Sequence, residues 1–282
     1  MKVLILGSKG MLGQELVRAF FEYEQICLSK NDVDITNYLK TTEKINDIKP
    51  DLIINATAYN NVDEAEKSEE WEKMALKING YAVENLAKIA QSINAKFIHF
   101  STDYVFDGTE KDGYQEDAIP NPINKYGKSK LLGEELTKKN IKKYYIIRLT
   151  RLFGKPALSE NGKKSFVDLM LNLAKTKREL KVVNDAFGNL TYAPDIAKAT
   201  LSLVEKKYPY GIYHITNEGS CTFYELAKKI FEIKGIDIKV IPVTSDEFPR
   251  LAKIPIYSSL INQKFPKLRR WEDALKEYLN TN

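Results

Sequence analysis

Cysteine, histidine and tryptophan are scarce in this chain of 282 residues, which contains two of each. Cys27 and Cys221 lie far apart and neither has a CxxC companion, so we expect two reduced thiols and neither a disulfide framework nor a metal site. His99 and His214 both fall within short apolar runs that are typical of strands. We therefore expect two structural histidines with satisfied nitrogens and no histidine catalysis.

The chain also lacks a long hydrophobic run, a polybasic arm, an internal repeat and a low-complexity segment. No apolar stretch approaches the roughly 20 residues of a membrane span, and the sequence opens directly on a strand-like run without a signal sequence. The formal net charge of +5 is spread along the chain, which gives no footprint for nucleic acid. We expect a cytoplasmic protein that binds neither membrane nor nucleic acid.

Short apolar runs alternate with longer helical patterns in the first half of the chain, which predicts a parallel sheet covered by helices. The predicted strands are Lys2–Leu6, Gln25–Leu28, Leu52–Asn55, Lys96–Phe100 and Tyr144–Leu149. The predicted helices are Met11–Glu22, Asn37–Ile48, Trp71–Ile93 and Lys125–Asn140. Right-handed crossovers between such strands give a doubly wound α/β fold.

The pattern loosens after Thr150 into shorter helices and strands that carry most of the remaining prolines. It predicts a larger domain over residues 1–150 and a smaller substrate-binding lobe over 151–282. Because no flexible linker separates them, we expect the two parts to share a core surface and some helices.

Three glycines follow the first predicted strand and open the first helix, in the segment Gly7-Ser8-Lys9-Gly10-Met11-Leu12-Gly13. Such a loop allows a tight turn and a close approach of backbone to a pyrophosphate, while the helix N-terminus offers free N–H groups. The position predicts that residues 1–150 form a dinucleotide-binding domain. A merely tight β-α turn is the alternative.

The end of the second strand bears on which dinucleotide binds. A carboxylate there accepts the ribose 2′-hydroxyl of NAD, whereas the 2′-phosphate of NADP requires a cation. Ser29 occupies this place and Lys9 and Lys30 are near it in sequence. We therefore expect NADP(H) to be preferred and NAD(H) to be possible, although both lysines could be solvated surface charges.

Tyr126 and Lys130 stand four residues apart and so share one face of a predicted helix. A phenol has an ordinary pKa near 10, and a nearby cation would favour its ionised form. The spacing therefore fits acid/base chemistry on a carbonyl group. Tyr-x-x-x-Lys also arises by chance in a chain with 16 tyrosines.

With Ser101-Thr102-Asp103-Tyr104-Val105-Phe106 after the fourth strand, the chain resembles the extended short-chain dehydrogenase/reductase superfamily, and within it the dTDP-4-dehydrorhamnose reductase family. Further stretches support the resemblance over nearly the whole chain. They are Asp34-Ile35-Thr36, Ile54-Asn55-Ala56-Thr57-Ala58-Tyr59, Val62-Asp63, Asn184-Asp185, Phe187-Gly188, Glu247-Phe248-Pro249-Arg250 and Tyr257-Ser258.

The resemblance implies a Rossmann-type fold and a role for each matching residue. Thr102, Tyr126 and Lys130 would be catalytic, with Tyr126 giving a proton to the reduced carbonyl and Lys130 also holding the cofactor ribose. The implied cofactor-binding residues are Gly7, Gly10, Met11, Leu12, Gly13, Lys30, Asp34, Ile35, Ala56, Thr57, Ala58, Tyr59, Ser101, Tyr126 and Lys130. The implied substrate-binding residues are Val62, Thr102, Asp103, Tyr104 and Arg151. For Ala56, Thr57, Ala58 and Tyr59, the alternative is a strand end that packs on a helix. For Asp103, the alternative is a side chain that caps a local turn.

The chain departs from the family pattern in the part that should recognise the substrate. Arg151 stands where the family usually has a tryptophan against the sugar, and Ala186, Leu190 and Ile254 replace a glutamine, a proline and an arginine. A guanidinium in place of a flat ring changes a stacking wall into a donor-rich cation. The sugar or its nucleotide could therefore differ from that of the family.

The implied reaction is NAD(P)H-dependent reduction of dTDP-4-dehydro-L-rhamnose to dTDP-L-rhamnose, for cell-surface polysaccharide synthesis, by a monomer or homodimer. One alternative is a different 4-keto-6-deoxy sugar nucleotide, such as a UDP-linked N-acetylated one. A second is a non-catalytic nucleotide-binding regulatory subunit, although such relatives usually lose part of the Thr, Tyr and Lys set. Epimerisation or dehydration is less well supported, since dehydratases typically need an acidic pair beside the threonine.

Overall fold

A computed structural model describes residues 1–158 and 164–281. Among these residues, six parallel strands form the central sheet in the order β10-β5-β4-β3-β1-β2. The strands of the chain are β1 Lys2–Leu6, β2 Glu24–Leu28, β3 Leu52–Asn55, β4 Lys96–Thr102, β5 Tyr144–Leu149, β6 Leu152–Phe153, β7 Glu179–Val183, β8 Phe187–Gly188, β9 Thr191–Tyr192, β10 Gly211–His214, β11 Cys221–Thr222 and β12 Lys239–Val243. The predicted doubly wound α/β fold is confirmed.

Helices cover both faces of the sheet. They are α1 Met11–Ala19, α2 Tyr38–Ile48, α3 Val62–Lys67, α4 Glu69–Leu76, α5 Ala82–Ser92, α6 Lys125–Asn140, α7 Phe166–Ala174, α8 Ala193–Glu205, α9 Phe223–Lys234 and α10 Trp271–Thr281. One apolar layer packs α1 and α8 on the sheet, and the layer on the other face includes residues of α2 and α5. Within the described ranges, no helix is both long and apolar enough to cross a membrane.

Several predicted boundaries differ from those observed. The first helix ends at Ala19 because Phe20 leaves helical geometry and buries its ring, and the Tyr23 N–H then closes a turn onto the Phe20 carbonyl. The fourth strand runs on from Phe100 to Thr102 and so includes Ser101 and Thr102. The second strand starts one residue earlier, at Glu24, and Asn37 is the N-cap of α2.

The predicted helix Trp71–Ile93 is in fact α4, a π-helical turn over Lys77–Tyr81, and α5. It begins earlier because Ser68 caps it, its side chain accepting a hydrogen bond from the Trp71 backbone N–H. The π turn contains Asn79, whose carbonyl oxygen would lie 2.2 Å from a Cβ at Gly133. A π turn at this contact is typical of a functional region.

The smaller lobe has its own apolar cluster, built largely from α7, α9 and α10 with β7. It is not independent of the larger domain, since β10 pairs with β5 at the edge of the central sheet and α8 packs on α1. The division at residue 150 therefore stays a prediction. The chain after that point supplies β10 and α8 to the first domain.

Candidate active site

The glycine loop lies where the strand order reverses, between β1 and β3, which is where doubly wound sheets bind their ligands. Gly7 has φ of +78°, and a Cβ there would meet the Ala56 backbone at 2.9 Å. A Cβ at Gly13 would lie 2.0 Å from the Gly7 carbonyl oxygen. The loop thus packs so tightly against β3 and α1 that only glycine fits at both places.

Two observations show that the residues present fit a dinucleotide. The backbone N–H groups of Met11 and Leu12 are at the start of α1, where a helix offers unpaired donors and a partial positive charge. Among the described residues, the Ser101 hydroxyl is the buried side-chain polar atom that has no hydrogen-bond partner. A buried hydroxyl without a partner costs free energy unless a ligand satisfies it.

The residues after β2 bear on the expected preference for NADP. The Asp32 carboxylate accepts hydrogen bonds from the Ser29 N–H at 2.8 Å and the Ser29 hydroxyl at 2.6 Å, and these bonds lower the pKa of Asp32. The Asp34 carboxylate likewise accepts from the N–H and hydroxyl of Thr36. Lys9 and Lys30 are both exposed beside these carboxylates, so cations are available where a 2′-phosphate would lie.

The segment after β3 is held by amide side chains. Asn55 accepts hydrogen bonds from the Thr57 N–H and hydroxyl. Asn79 accepts from the Tyr59 N–H at 2.9 Å and donates to the Tyr59 carbonyl at 2.8 Å. Asn79 also donates to the Ser129 hydroxyl at 2.9 Å, so its side chain fixes the Ala56–Tyr59 backbone to α6.

Thr102 and Tyr126 are brought together by the end of β4 and the start of α6. The Thr102 side chain is close enough to the Tyr126 phenol to affect its pKa. Asn124 caps α6 by accepting from the Gly127 N–H at 2.7 Å, and a Cβ at Gly127 would lie 2.1 Å from the Tyr104 carbonyl oxygen. The helix can therefore start directly against the segment that follows Thr102.

Lys130 lies one turn further along α6 and is buried. Its ammonium group donates to the Phe100 carbonyl oxygen at 2.6 Å and lies 3.4 Å from Nε2 of His99. Burial lowers the pKa of Lys130 to about 8, while the negative charge of Glu134 opposes this shift. The side chain is thus held on the β4 backbone, on the same helix face as Tyr126.

The expected depression of the Tyr126 pKa is not found. Burial and the negative charge of Asp103 raise the pKa of Tyr126, and the neighbouring Thr102 side chain only partly offsets this rise. Desolvation therefore outweighs any effect of Lys130, whose own charged form is disfavoured by the same burial. A phenol that keeps its proton at neutral pH is suited to act as an acid.

Asp103 and Tyr104 extend this cluster towards the smaller lobe. The Asp103 carboxylate accepts from the Thr102 hydroxyl at 2.9 Å. Burial raises the pKa of Asp103, and the neighbouring Ser258 and Thr102 side chains partly oppose this rise. The Tyr104 ring meets the Tyr126 ring edge-on, with centroids 5.7 Å apart.

Val62 completes an apolar patch around Tyr126, together with Tyr104 and Ala252. Ala252 comes from the smaller lobe and is held in place by Asp63, whose carboxylate accepts from the Ala252 N–H at 3.2 Å and from the Arg250 guanidinium at 2.7 Å. The two lobes therefore meet at the predicted substrate residues.

Arg151 lies beside this cluster but is tied to the backbone. Its Nη1 donates to the Cys221 carbonyl at 2.7 Å, its Nη2 donates to the Ala186 carbonyl at 3.0 Å, and its guanidinium lies 4.0 Å from the centre of the Phe223 ring. Nη1 and Nη2 of Arg151 thus bind backbone carbonyls of the smaller lobe and are not directed at a substrate anion.

Sequence reasoning gave no role to several residues that shape the site. Asp63 and Ser258 entered only as part of stretches that support the family resemblance, and Ser129 was not singled out. Their partners lie in other elements, and no local spacing marks them. His99 and His214 do lie in β4 and β10 as predicted, and both are hydrogen-bonded. The shared strand face of His99 and Ser101, two residues apart, was the one available signal that His99 borders the site.

A parallel sheet with a glycine loop at its switch point, and a Thr, Tyr and Lys set at the same edge of the sheet, defines an extended short-chain dehydrogenase/reductase. The chain belongs to the family described as the RmlD substrate binding domain, whose model matches residues 1–282. The predicted resemblance to the dTDP-4-dehydrorhamnose reductase family is thereby confirmed.

Individual relatives are similar along their whole length. The spore coat polysaccharide biosynthesis protein SpsK of Bacillus subtilis (strain 168) is 38% identical, over 99% of this chain and 96% of its own. The crystal structure of a dTDP-4-dehydrorhamnose reductase from Clostridium acetobutylicum ATCC 824 is 41% identical, with a TM-score of 0.93 over 100% of this chain and 99% of that one. The dTDP-4-dehydrorhamnose reductase of Bacillus anthracis str. Ames, crystallised with NADP, is 35% identical with the same TM-score and coverage.

Proposed function

We propose that this protein reduces the 4-keto group of a nucleotide-linked 6-deoxyhexose with NAD(P)H, converting dTDP-4-dehydro-L-rhamnose to dTDP-L-rhamnose. The observation that carries the proposal is that Thr102, Tyr126 and Lys130 converge at the end of β4, on the same edge of the parallel sheet as the glycine loop. Two similar structures are named dTDP-4-dehydrorhamnose reductases and one of them contains NADP, which supports both the substrate and the cofactor. The name of the Bacillus subtilis relative supports a role in polysaccharide synthesis.

Each cofactor contact has a residue to supply it. Gly7, Gly10 and Gly13, with the N–H groups of Met11 and Leu12, would hold the pyrophosphate, and Lys30 would meet a 2′-phosphate. The remaining proposed contacts, with adenine, ribose and nicotinamide, are Asp34, Ile35, Ala56, Thr57, Ala58, Tyr59, Ser101, Tyr126 and Lys130. When bound, NAD(P)H supplies the hydride to the carbonyl carbon.

The protein's own part is to polarise the carbonyl and to deliver one proton. Thr102 would turn its hydroxyl from Asp103 to the keto oxygen, and Tyr126 would give its phenolic proton to the oxygen as negative charge develops there. The raised pKa of Tyr126 keeps that proton in place at neutral pH. Lys130, fixed on the Phe100 carbonyl, would hold the ribose hydroxyls.

The sugar would lie against Val62, Asp103 and Tyr104, under the segment that Asp63 holds over Tyr126. Arg151 borders this space, and its main contacts are backbone carbonyls of the smaller lobe. A different 4-keto-6-deoxy sugar nucleotide is the alternative substrate. A regulatory subunit without activity would have no use for a complete Thr, Tyr and Lys set.

The test is a substrate panel in which NADPH consumption is followed by absorbance. We expect turnover of dTDP-4-dehydro-L-rhamnose and slower or no turnover of a UDP-linked N-acetylated 4-keto sugar. Tyr126→Phe should lower kcat by about 100-fold or more, the usual contribution of a positioned acid. The exposed Tyr81→Phe is the matched control and should be unchanged. Absence of turnover with every 4-keto sugar nucleotide would refute the proposed function.

A further inference from the structure

His99 is a buried titratable side chain to which the mechanism above gives no task. It lies at 0% exposure in β4, with Nε2 at 3.4 Å from the Lys130 ammonium nitrogen and Nδ1 at 3.2 Å from the Asn55 amide nitrogen. It thus joins the catalytic helix to the end of β3. Burial and the Lys130 charge lower its pKa well below the ordinary value, so the ring is neutral.

The surrounding hydrogen bonds determine which ring nitrogen carries the proton. Asn55 accepts from the Thr57 backbone N–H at 3.1 Å and from the Thr57 hydroxyl at 2.6 Å, both through Oδ1. The backbone N–H can only donate, so the amide oxygen must face Thr57 and the amide NH₂ must face His99. Nδ1 of His99 therefore accepts, and the single proton of the neutral ring is on Nε2.

This tautomer places an N–H bond opposite Lys130. An ammonium group has donors only, whereas a neutral amine has a lone pair that can accept from Nε2–H. Rotating the Asn55 amide would free Nε2 to accept, but it would leave the Thr57 N–H facing an NH₂ group. The Phe100 carbonyl accepts from Lys130 in either charge state. His99 as held here therefore disfavours the charged lysine.

Other polar and charged groups around Lys130 also affect its charged form. Glu134, one turn further along α6, favours the ammonium, although its carboxylate is shared with Arg148 of β5. Tyr126 lies one turn before Lys130 and carries its proton. From the π turn packed on α6, the nearest polar group is the neutral Asn79 amide. Asp103 acts on Tyr126 from the far side.

We propose that His99, with its tautomer fixed by Asn55 and Thr57, is a positioning residue that sets the charge of Lys130 by opposing the ammonium with Nε2–H. The chain of contacts also links that charge to Thr57, beside the glycine loop. The kinetic consequence rests on the proposed function, but the tautomer and its response to Lys130 do not.

The direct test is NMR on the intact protein labelled with ¹⁵N. The chain has only two histidines, and their contacts predict opposite tautomers. Nδ1 of His214 lies 3.0 Å from the Tyr114 carbonyl and 3.2 Å from the Ile261 carbonyl, and its Nε2 lies 3.3 Å from an Arg148 donor. His214 is thus Nδ1–H and serves as the internal reference for His99 as Nε2–H.

Long-range ¹H–¹⁵N spectra distinguish protonated from bare ring nitrogens, and His99→Gln assigns the two rings. We expect the His99 nitrogens to shift as pH passes through about 8, where Lys130 loses its proton, and to stop shifting in Lys130→Met. A His99 ring protonated on Nδ1, an imidazolium at neutral pH, or the same titration in Lys130→Met would each overturn the proposal.

The kinetic test uses the pH dependence of kcat/KM. His99→Gln offers an amide oxygen that can accept a hydrogen bond from the Lys130 ammonium, so the pKa of Lys130 should rise. The fall of kcat/KM at alkaline pH, the alkaline limb, should then occur about 1 pH unit higher, the effect of one hydrogen bond to a charged group. His214→Gln is the matched control and should leave the limb in place. A limb that does not rise in His99→Gln contradicts the proposal. If no sugar nucleotide is reduced at all, the proposed function fails while the NMR result still decides the role of His99.

Discussion

The guanidinium of Arg148 binds the carboxylate of Glu134 through two parallel hydrogen bonds, from Nε at 2.9 Å and from Nη2 at 2.6 Å. Both side chains are almost completely buried, at 1% and 0% exposure. A third Arg148 nitrogen lies 3.3 Å from Nε2 of His214, and the guanidinium stacks over Phe106. This pair ties α6 to β5 one helical turn after Lys130.

Glu134→Leu should lower the free energy of unfolding by about 3–5 kcal/mol, because it leaves a buried guanidinium without its counter-charge. Replacing both partners, as Glu134→Leu with Arg148→Met, should recover a large part of that loss, since no buried charge then remains. Urea unfolding measures both values.

The matched control is Glu69→Gln, which removes the exposed pair with Lys73 on α4. Such an exposed pair contributes little to stability, because solvent screens it. If Glu134→Leu costs no more than this control, the buried pair does not hold α6 in place.

Gly13→Ala tests the fit of the glycine loop. The added Cβ would lie 2.0 Å from the Gly7 carbonyl oxygen, so either the loop or the start of α1 must move. We expect NADPH affinity to fall by about tenfold or more, equivalent to about 1.4 kcal/mol, together with a lower Tm.

Gly10→Ala is the comparison, because its Cβ would lie 3.2 Å from the same oxygen and needs only a small adjustment. Fluorescence titration with NADPH gives both dissociation constants. Equal losses in the two variants would mean that the close contact at Gly13 is not what shapes the binding loop.

Lys30→Ala tests the preference for NADPH over NADH. An exposed cation beside a 2′-phosphate contributes about 1 kcal/mol, so we expect about a fivefold loss of NADPH affinity and no change for NADH. The loss should shrink as salt is added, because screening weakens exposed charge pairs. The exposed Lys40→Ala of α2 is the control, and an equal loss for both cofactors would contradict the assignment of Lys30.

The parts of the site that sequence alone predicted are those with local signatures. Gly7, Gly10 and Gly13 follow a strand and open a helix, and Tyr126 and Lys130 share a helix face, so neighbouring residues carry the information. The β10 strand was not foreseen as a member of the central sheet, because Gly211–His214 is short and joins β5 across a long stretch of chain.

Contacts between distant elements could not be predicted from the sequence pattern either. The bond between Asp63 and Arg250 joins α3 to the smaller lobe, and no spacing in the sequence marks the two as partners. The raised pKa of Tyr126 has the same origin, since burial depends on what the folded chain places around the phenol. The four-residue spacing identified Lys130 as the neighbouring cation. It could not show how deeply the folded chain buries the Tyr126 phenol.

Arg151→Lys separates a structural role from direct substrate recognition. Lysine cannot reproduce the guanidinium fork that donates to both Ala186 and Cys221, and Arg151 also has a left-handed backbone with φ of 38°. We expect the free energy of unfolding to fall by about 2 kcal/mol, in line with one lost charged hydrogen bond, while NADPH affinity stays unchanged. The exposed Arg178→Lys is the control. Should Arg151→Lys instead leave stability intact and raise only KM for the sugar nucleotide, the guanidinium would act on the substrate and not on the lobe's backbone.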